Sequence, residues 1–296
     1  IQNPLLLTIM LLTFEQYAEV PSKMHQFYRE AFAALSVKHD ASKGAYKRTL
    51  KTGLTAERLA DYFAEFCCRS YYDEKFEMTE DEFSKYYNSL KEREKANDRT
   101  TTAGDFLYDL CSNICLMYFE SGKYYFAHRS FQEYFCALYF SKQKDKNLES
   151  IGDFFENRHN RMYGDRTFNM LYDMIPDKVE EYIFLPYLTR LFERCDSADG
   201  YWTFLETVYP RLRYEKGETN EVISNDPLSY IYSFINRCIG FEIADCDNFP
   251  HYDSLVVAEY CYVSLDNETD ILENKEEVDW EYQKEYGIPD IVGRVY

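Results

Sequence analysis

Gly122-Lys123 is where phosphate-binding chemistry has to be considered first in this sequence. A nucleotide-hydrolysing P-loop needs a glycine-rich turn, whose backbone N–H groups surround the phosphates, followed by Lys and then Ser or Thr. Here Lys123 is followed by Tyr124 and the earlier glycine is missing, so the pair is predicted to lie in a β-hairpin turn. The sequence also has no HExxH, GxSxG or EF-hand pattern. We predict that this chain has no catalytic residues and is not an enzyme by itself.

Histidines and cysteines are the other residues whose chemistry could define a site. Cys111 and Cys115 have the i, i+4 spacing at which two thiolates on a helix could share a metal, but no His or third Cys stands at zinc-like spacing. His128 with Cys136 could form a catalytic pair, yet no surrounding motif supports one. We predict core packing for these thiols and no metal site. The nine cysteines include no CxxC pair, which indicates reduced thiols in a cytoplasmic protein.

Charge narrows the classes of partner. Lys and Arg total 33 against 52 Asp and Glu, and the resulting net charge of −19 repels nucleic-acid phosphates and anionic lipid head groups. The longest apolar run, residues 5–12, is far shorter than the roughly 20 residues of a membrane-spanning helix. We therefore predict no DNA partner, no membrane contact, and a protein partner with a basic surface.

The spacing of apolar residues predicts a mainly helical chain that would position any such site. Asn3 and Pro4 fit a helix start, followed by a buried helix over residues 5–14 and an amphipathic helix after Ser22. Over residues 55–128 the predicted order is helix, short strand, helix, helix and β-hairpin. This order is typical of a winged-helix domain.

Two places carry the capping-box pattern, in which Ser or Thr is followed at the third position by Glu. Thr79 with Glu82 predicts the start of the second helix of the 55–128 region, and Ser130 with Glu133 predicts the start of the helix that leaves the hairpin. Both boxes would fix where the helices begin.

The third helix of a winged-helix domain often binds DNA, for which it must present Lys or Arg. Residues 102–114 contain no basic residue and do contain Asp105 and Asp109. The sequence therefore disfavours DNA recognition and favours a protein-interaction or nucleotide-gating role for this domain.

Two stretches resemble NACHT proteins, a family of STAND NTPases. Residues 126–135 read FAHRSFQEYF and are similar to the stretch that closes the winged-helix domain of that family. Residues 3–8 read NPLLLT and are similar to the segment that opens its small helical domain. The resemblance covers about residues 1–142, and we expect a piece cut from a longer protein whose P-loop precedes Ile1.

The resemblance and the patterns together predict a mainly α fold: a helical subdomain, a winged-helix domain with a small β-hairpin, and an α-helical C-terminal domain. The predicted divisions are the small helical domain of the NACHT module at 1–54 and the winged-helix domain with its exit helix at 55–142. A sensor-like helical C-terminal domain follows at 143–265, and an acidic C-terminal segment at 266–296.

The resemblance implies two nucleotide-binding residues. In the family, the proline of the first motif packs near the adenine and the histidine of the second bonds the β-phosphate of ADP; these correspond to Pro4 and His128. The implied cofactor is ADP or ATP with Mg in the parent protein, with none bound tightly to this fragment. The residues alone favour a structural role instead, in which His128 ties the hairpin to the helix beneath it.

Two functions are therefore expected. The first is the regulatory, nucleotide-sensing portion of a NACHT-family signalling ATPase, whose prokaryotic relatives often serve in defence. Its partners would be the N-terminal nucleotide-binding domain of the parent chain, further copies in a homo-oligomer on activation, and a protein ligand. The alternative is a stand-alone acidic helical protein-interaction module with no nucleotide role.

Overall fold

The computed structural model describes residues 23–41, 50–93, 101–157, 164–196, 200–208, 213–215, 221–223 and 229–238, with the single positions 7, 10, 11 and 14. Pro4 and the acidic segment 266–296 lie outside the described residues.

The described elements are mainly helical with a small β-hairpin, as the sequence predicts. The helices are α1 (Met24–Ala41), α2 (Ala56–Tyr72), α3 (Glu80–Arg93), α4 (Ala103–Tyr108), α5 (Arg129–Ser141), α6 (Leu148–Glu156), α7 (Thr167–Met174), α8 (Pro176–Val179), α9 (Leu185–Cys195), α10 (Gly200–Val208) and α11 (Tyr230–Cys238). The π-helical turns Asp109–Asn113 and Glu180–Phe184 follow α4 and α8, and the 3₁₀ turn Asp145–Asn147 precedes α6. The strands are β1 (Glu77–Met78), β2 (Met117–Glu120), β3 (Lys123–Phe126), β4 (Arg213–Glu215) and β5 (Glu221–Ile223). Among the described helices, none is both long and apolar enough to cross a membrane.

The chain divides into two compact units. The first comprises Ile1–Asp145 and Gly164–Val179, and the second comprises Lys146–Tyr163 and Glu180–Tyr296. These two units are defined by contacts between residues, whereas the four divisions predicted from the sequence are defined by motifs and by charge. Those four divisions stay predictions.

An aromatic core built on α2 and α5 organises the first unit. Thr55 begins α2, because its side-chain oxygen accepts a hydrogen bond from the Arg58 backbone N–H at 3.2 Å. The Phe63 ring meets that of Phe135 of α5 edge-on, with ring centroids 4.8 Å apart. Phe66 lies fully buried on the same helix face. Such aromatic pairs stabilise a core beyond the area they bury.

The predicted order of elements over residues 55–128 is present. β1, β3 and β2 form an antiparallel sheet in that order. Ser121 and Gly122 have φ of 50° and 83°, the left-handed conformation that a two-residue hairpin turn requires at both central positions. The prediction of a hairpin turn is therefore confirmed for Gly122, whereas Lys123, predicted to share the turn, is the first residue of β3.

The capping box at the start of α3 is also confirmed. Thr79 N–H donates to Glu82 Oε2 at 2.9 Å, and Glu82 N–H donates to Thr79 Oγ1 at 3.3 Å. The bond from the Thr79 backbone and the Lys75 ammonium together hold the pKa of Glu82 at about 2. The local pattern alone was sufficient to place this helix start.

The prediction of a buried helix over residues 5–14 is wrong in its burial at three of the four positions of this range that the structure describes. Leu7, Met10, Leu11 and Phe14 are helical, but Leu7, Leu11 and Phe14 are 42, 60 and 53% exposed. Their i, i+4, i+7 spacing puts them on one face of the helix. Apolar spacing predicts that a helix forms, but it does not specify the surface that covers its apolar face.

In the second unit α6 packs against the π-helical turn Glu180–Phe184 and α11, and α9 packs against the same turn and α10. Ile183 of that turn comes so close to Gly152 of α6 that an added Cβ would lie 2.6 Å from its Cγ2. The expectation of helices alone after residue 145 is wrong at β4 and β5, which pair antiparallel with Tyr214 opposite Val222. Tyr and Val both favour strands, and such short strands leave little periodicity to detect.

Candidate functional site

His128 lies at the junction of the hairpin and α5, where it is the N-terminal cap of the helix. Its backbone is extended, with φ −151° and ψ 140°. The ring atom Nδ1 accepts a hydrogen bond from the Ser130 backbone N–H at 3.2 Å and also contacts the Ser130 hydroxyl. The imidazole therefore accepts a backbone N–H of the first turn of α5, the role that a Ser, Thr or Asp side chain usually has at a helix N-terminus.

This cap determines where the His128 ring carries its proton. Because Nδ1 accepts the Ser130 N–H, the hydrogen-bond network assigns the proton of the neutral ring to Nε2. Burial lowers the pKa of His128 and so favours that neutral ring. Among the described residues, Nε2 has no hydrogen-bond partner, which leaves a fixed N–H donor at the start of α5.

The predicted capping box between Ser130 and Glu133 is wrong. Ser130 is the second residue of α5, and the Glu133 carboxylate has other partners than a backbone N–H at the start of α5. Glu133 Oε2 accepts from the Arg166 backbone N–H at 3.3 Å, and Oε1 pairs with Arg129 Nε at 3.0 Å. The capping-box pattern gives the wrong helix start because His128, two positions before Ser130, is the N-terminal cap.

The buried side chains of Glu133, Asp165 and Tyr71 form a polar cluster with the exposed Arg129, which we call the carboxylate cluster. Arg129 Nη2 lies 3.5 Å from Asp165 Oδ2, which also accepts the Tyr71 hydroxyl at 2.8 Å. Burial, followed by the negative charge of Asp165, raises the pKa of Glu133 to about 7 despite the Arg129 guanidinium. Burial likewise raises the pKa of Tyr71 well above its ordinary value. The cluster joins the first turn of α5 to α2 and to the start of α7.

Gln132 makes a second tie between α5 and the end of α2. Its Nε2 donates to Ser70 Oγ and to the Lys75 carbonyl, each at 2.9 Å. Gln132 Oε1 is buried and has no hydrogen-bond partner among the described residues. The helix start that carries His128 is therefore held by the side chains of three residues, 129, 132 and 133, which contact different neighbours.

Asp109 is a polar anchor that the sequence interpretation assigned to an exposed helix. It is fully buried, and its carboxylate accepts hydrogen bonds from Lys51 N–H at 2.8 Å, Thr52 N–H at 2.9 Å, Thr52 Oγ1 at 2.7 Å and Asn113 Nδ2. The argument that Asp109 would repel DNA from the surface is therefore wrong for this residue. Asp105 is exposed enough to keep that role, and it pairs with Lys51 at 3.5 Å.

The other residues singled out from the sequence do not form a site. In the described part of the chain, no group of three or more His, Cys, Asp or Glu side chains could hold a metal ion. Burial raises the pKa of Cys111 to about 11 and that of Cys136 well above its ordinary value, so both favour the uncharged thiol over the thiolate that ligation or attack requires. Pro4 lies outside the described residues, so the pair Pro4 and His128 stays a prediction.

Comparison with known families bears on the C-terminal part. Residues 172–296 match the model of a Short NACHT-associated C-Terminal domain, family 14. The match supports a NACHT-associated C-terminal region. It begins within α7 and lies wholly outside the two stretches that resemble NACHT proteins. No curated protein and no solved structure matches the chain.

Proposed function

We propose that this chain is the regulatory, nucleotide-sensing portion of a NACHT-family signalling ATPase, in which residues 55–142 form the winged-helix domain and exit helix. The His128 ring carries the proposal, because it combines a locked orientation with an Nε2–H donor left over from capping. The NACHT-associated match over residues 172–296 supports the same family from a separate part of the chain.

The described residues fit one phosphate contact and do not form a complete nucleotide site. A neutral imidazole held by its Nδ1 can donate Nε2–H to a phosphate oxygen without the reorientation that a free side chain requires. The N-terminus of α5 also favours an anion, since its dipole is positive there. The phosphate-binding loop and the Mg-binding groups would come from the N-terminal nucleotide-binding domain of the parent chain. Hydrolysis is therefore not assigned to the residues of this chain.

The exposed apolar stripe of Leu7, Leu11 and Phe14 supports such a neighbouring domain. Three large apolar side chains on one helix face, each more than two-fifths exposed, lose free energy in water unless another surface covers them. In this proposal the upstream domain covers the stripe while ADP is bound. Release would free the surfaces for a homo-oligomer.

The proposal is tested by ADP affinity, measured by calorimetry on the protein that includes the nucleotide-binding domain. Two variants separate the roles of His128. His128→Ala removes both the cap and the donor, whereas His128→Ser keeps a good cap and removes only the donor. A hydrogen bond to a charged group contributes about 1.5–3 kcal/mol, so both variants should bind ADP roughly 10- to 100-fold more weakly and show more basal oligomer.

The result for His128→Ser decides between the two expected functions. Weakened affinity in both variants supports a phosphate donor. If His128→Ser binds ADP like the wild type while His128→Ala is merely less stable, His128 is only a helix cap. The acidic interaction module, favoured by the net charge of −19, would then be the better description.

A further inference from the structure

The hairpin carries exposed aromatic rings on both of its faces. Tyr118 and Tyr125 lie opposite each other with stacked rings, 5.4 Å between centroids and 21° between planes. On the other face, Phe119 lies against Tyr124 with centroids 4.8 Å apart. Tyr118 is 44% and Phe119 60% exposed. Isolated exposed apolar residues are common, but paired rings on one short hairpin mark a surface suited to contact.

Alternation along the strands places Glu77, Tyr118, Glu120, Lys123 and Tyr125 on one face of the sheet, which we call the hairpin face. Within this set the one cation, Lys123, is ion-paired with Glu77. Glu77 also hydrogen-bonds Tyr125, and together with the Lys123 bond this lowers its pKa. Glu120 is exposed beside the same tyrosine. The hairpin face is thus aromatic and carries a net negative charge.

We propose that the hairpin face is a docking surface for an arginine-bearing protein segment. A guanidinium is planar, stacks on aromatic rings and pairs with carboxylates at the same time, whereas the ammonium of lysine is a more strongly hydrated point charge. The face offers a stacked tyrosine pair between two glutamates. The net charge of −19 would also steer a basic segment toward the chain and repel an anionic one.

The same chemistry already occurs inside the first unit. The Arg129 guanidinium lies 4.6 Å from the centroid of the Phe76 ring and pairs with Glu133 at 3.0 Å. An intermolecular arginine on the hairpin face would repeat this combination of ring and carboxylate. The five residues of the hairpin face are far fewer than the roughly 20–30 that each partner contributes to a stable complex, so the face would be the central part of a larger contact.

The test uses a fluorescent peptide of alternating Gly and Arg, with a Gly-Lys peptide of the same length as its chemical control. Binding is measured by fluorescence anisotropy against the chain and against the double variant Tyr118→Ser/Tyr125→Ser, which removes the stacked pair of the hairpin face. Leu185→Ser is the protein control, because Leu185 is an exposed apolar residue that lies in α9 and not on the hairpin face. Thermal unfolding of each variant checks that it remains folded.

We expect the Gly-Arg peptide to bind at least about tenfold more weakly to the double variant, with no change for Leu185→Ser. The Gly-Lys peptide should bind more weakly than Gly-Arg to the wild type. Equal affinity of Gly-Arg for wild type and double variant would overturn the proposal, since binding would then reflect net charge alone. Equal affinity of the two peptides would overturn it as well. Neither outcome depends on whether the protein senses a nucleotide.

Discussion

Replacing Glu133 with Gln should stabilise the protein at neutral and alkaline pH. The carboxyl is 3% exposed, and burial together with the charge of Asp165 raises its pKa from 4.5 to about 7 in the folded protein. The folded state therefore binds this proton more tightly than the unfolded chain. The stabilisation is fully present below about pH 4.5 and is lost as the pH rises through about 7.

The size of the effect follows from the two pKa values. Each pKa unit corresponds to about 1.36 kcal/mol, so the difference between 4.5 and about 7 amounts to about 3 kcal/mol. Gln resembles the protonated acid and can still accept the Arg166 N–H, but it loses the ion pair with Arg129. About 3 kcal/mol is thus an upper value for the change in relative stability between the two ends of this pH range.

The assay is urea unfolding of wild type and Glu133→Gln at a series of pH values from below 4.5 to about 8. Subtracting the two free energies of unfolding cancels the groups that both proteins share. The difference should move in favour of the variant across that range. Asp61→Asn, which removes an exposed ion pair with Lys142, is the control and should change stability by less than about 1 kcal/mol. If Glu133→Gln is instead destabilising by a constant amount at every pH, the Arg129 pairing outweighs burial and the reasoning fails.

Two further changes test the packing described above. Asp109→Ala leaves several buried donors without an acceptor and should cost at least about 3 kcal/mol in the free energy of unfolding by urea. Asp105→Ala, at a half-buried side chain paired with Lys51, should cost less than about 1 kcal/mol. Gly152→Ala places a methyl group 2.6 Å from an Ile183 carbon and should lower the free energy of unfolding by about 1–3 kcal/mol. The methyl group of Gly104→Ala has its nearest neighbour at 3.8 Å, so this variant should be neutral or stabilising. Thermal unfolding of both variants checks this prediction, and equal unfolding midpoints would contradict it.

The fold was predictable where local chemistry determines it. The box of Thr79 and Glu82 and the turn at Ser121 and Gly122 are each complete within four residues, and both were placed correctly. The capping box predicted at Ser130 is wrong because His128 is the N-terminal cap of α5. The capping-box pattern considers only Ser or Thr as the cap, so it does not predict an imidazole there. β4 and β5 were missed because three-residue strands show little alternation.

The candidate site was less predictable because its contacts are distant in sequence. His128 was found through a motif, but its tautomer depends on the Ser130 N–H, which only the geometry reveals. Asp109 was interpreted as a surface charge because its donors at residues 51 and 52 precede it by more than fifty positions. The raised pKa of Glu133 likewise depends on Asp165, which follows it by more than thirty. Single-sequence reasoning finds groups that act locally and misses those whose partners come from elsewhere in the chain.

The interrupted first unit limits how this protein can be cut or recombined. Its last segment, Gly164–Val179, returns after residues assigned to the second unit, and it carries Asp165. A fragment ending at Asp145 would leave the Tyr71 hydroxyl without its acceptor and Glu133 without the Arg166 N–H. Exchange of C-terminal regions between relatives at the start of the family match, residue 172, would divide α7 itself. A junction that preserves the first unit therefore has to lie after Val179. Insertions are likewise better placed after Val179 than at the boundary between residues 142 and 143 that the motifs predict.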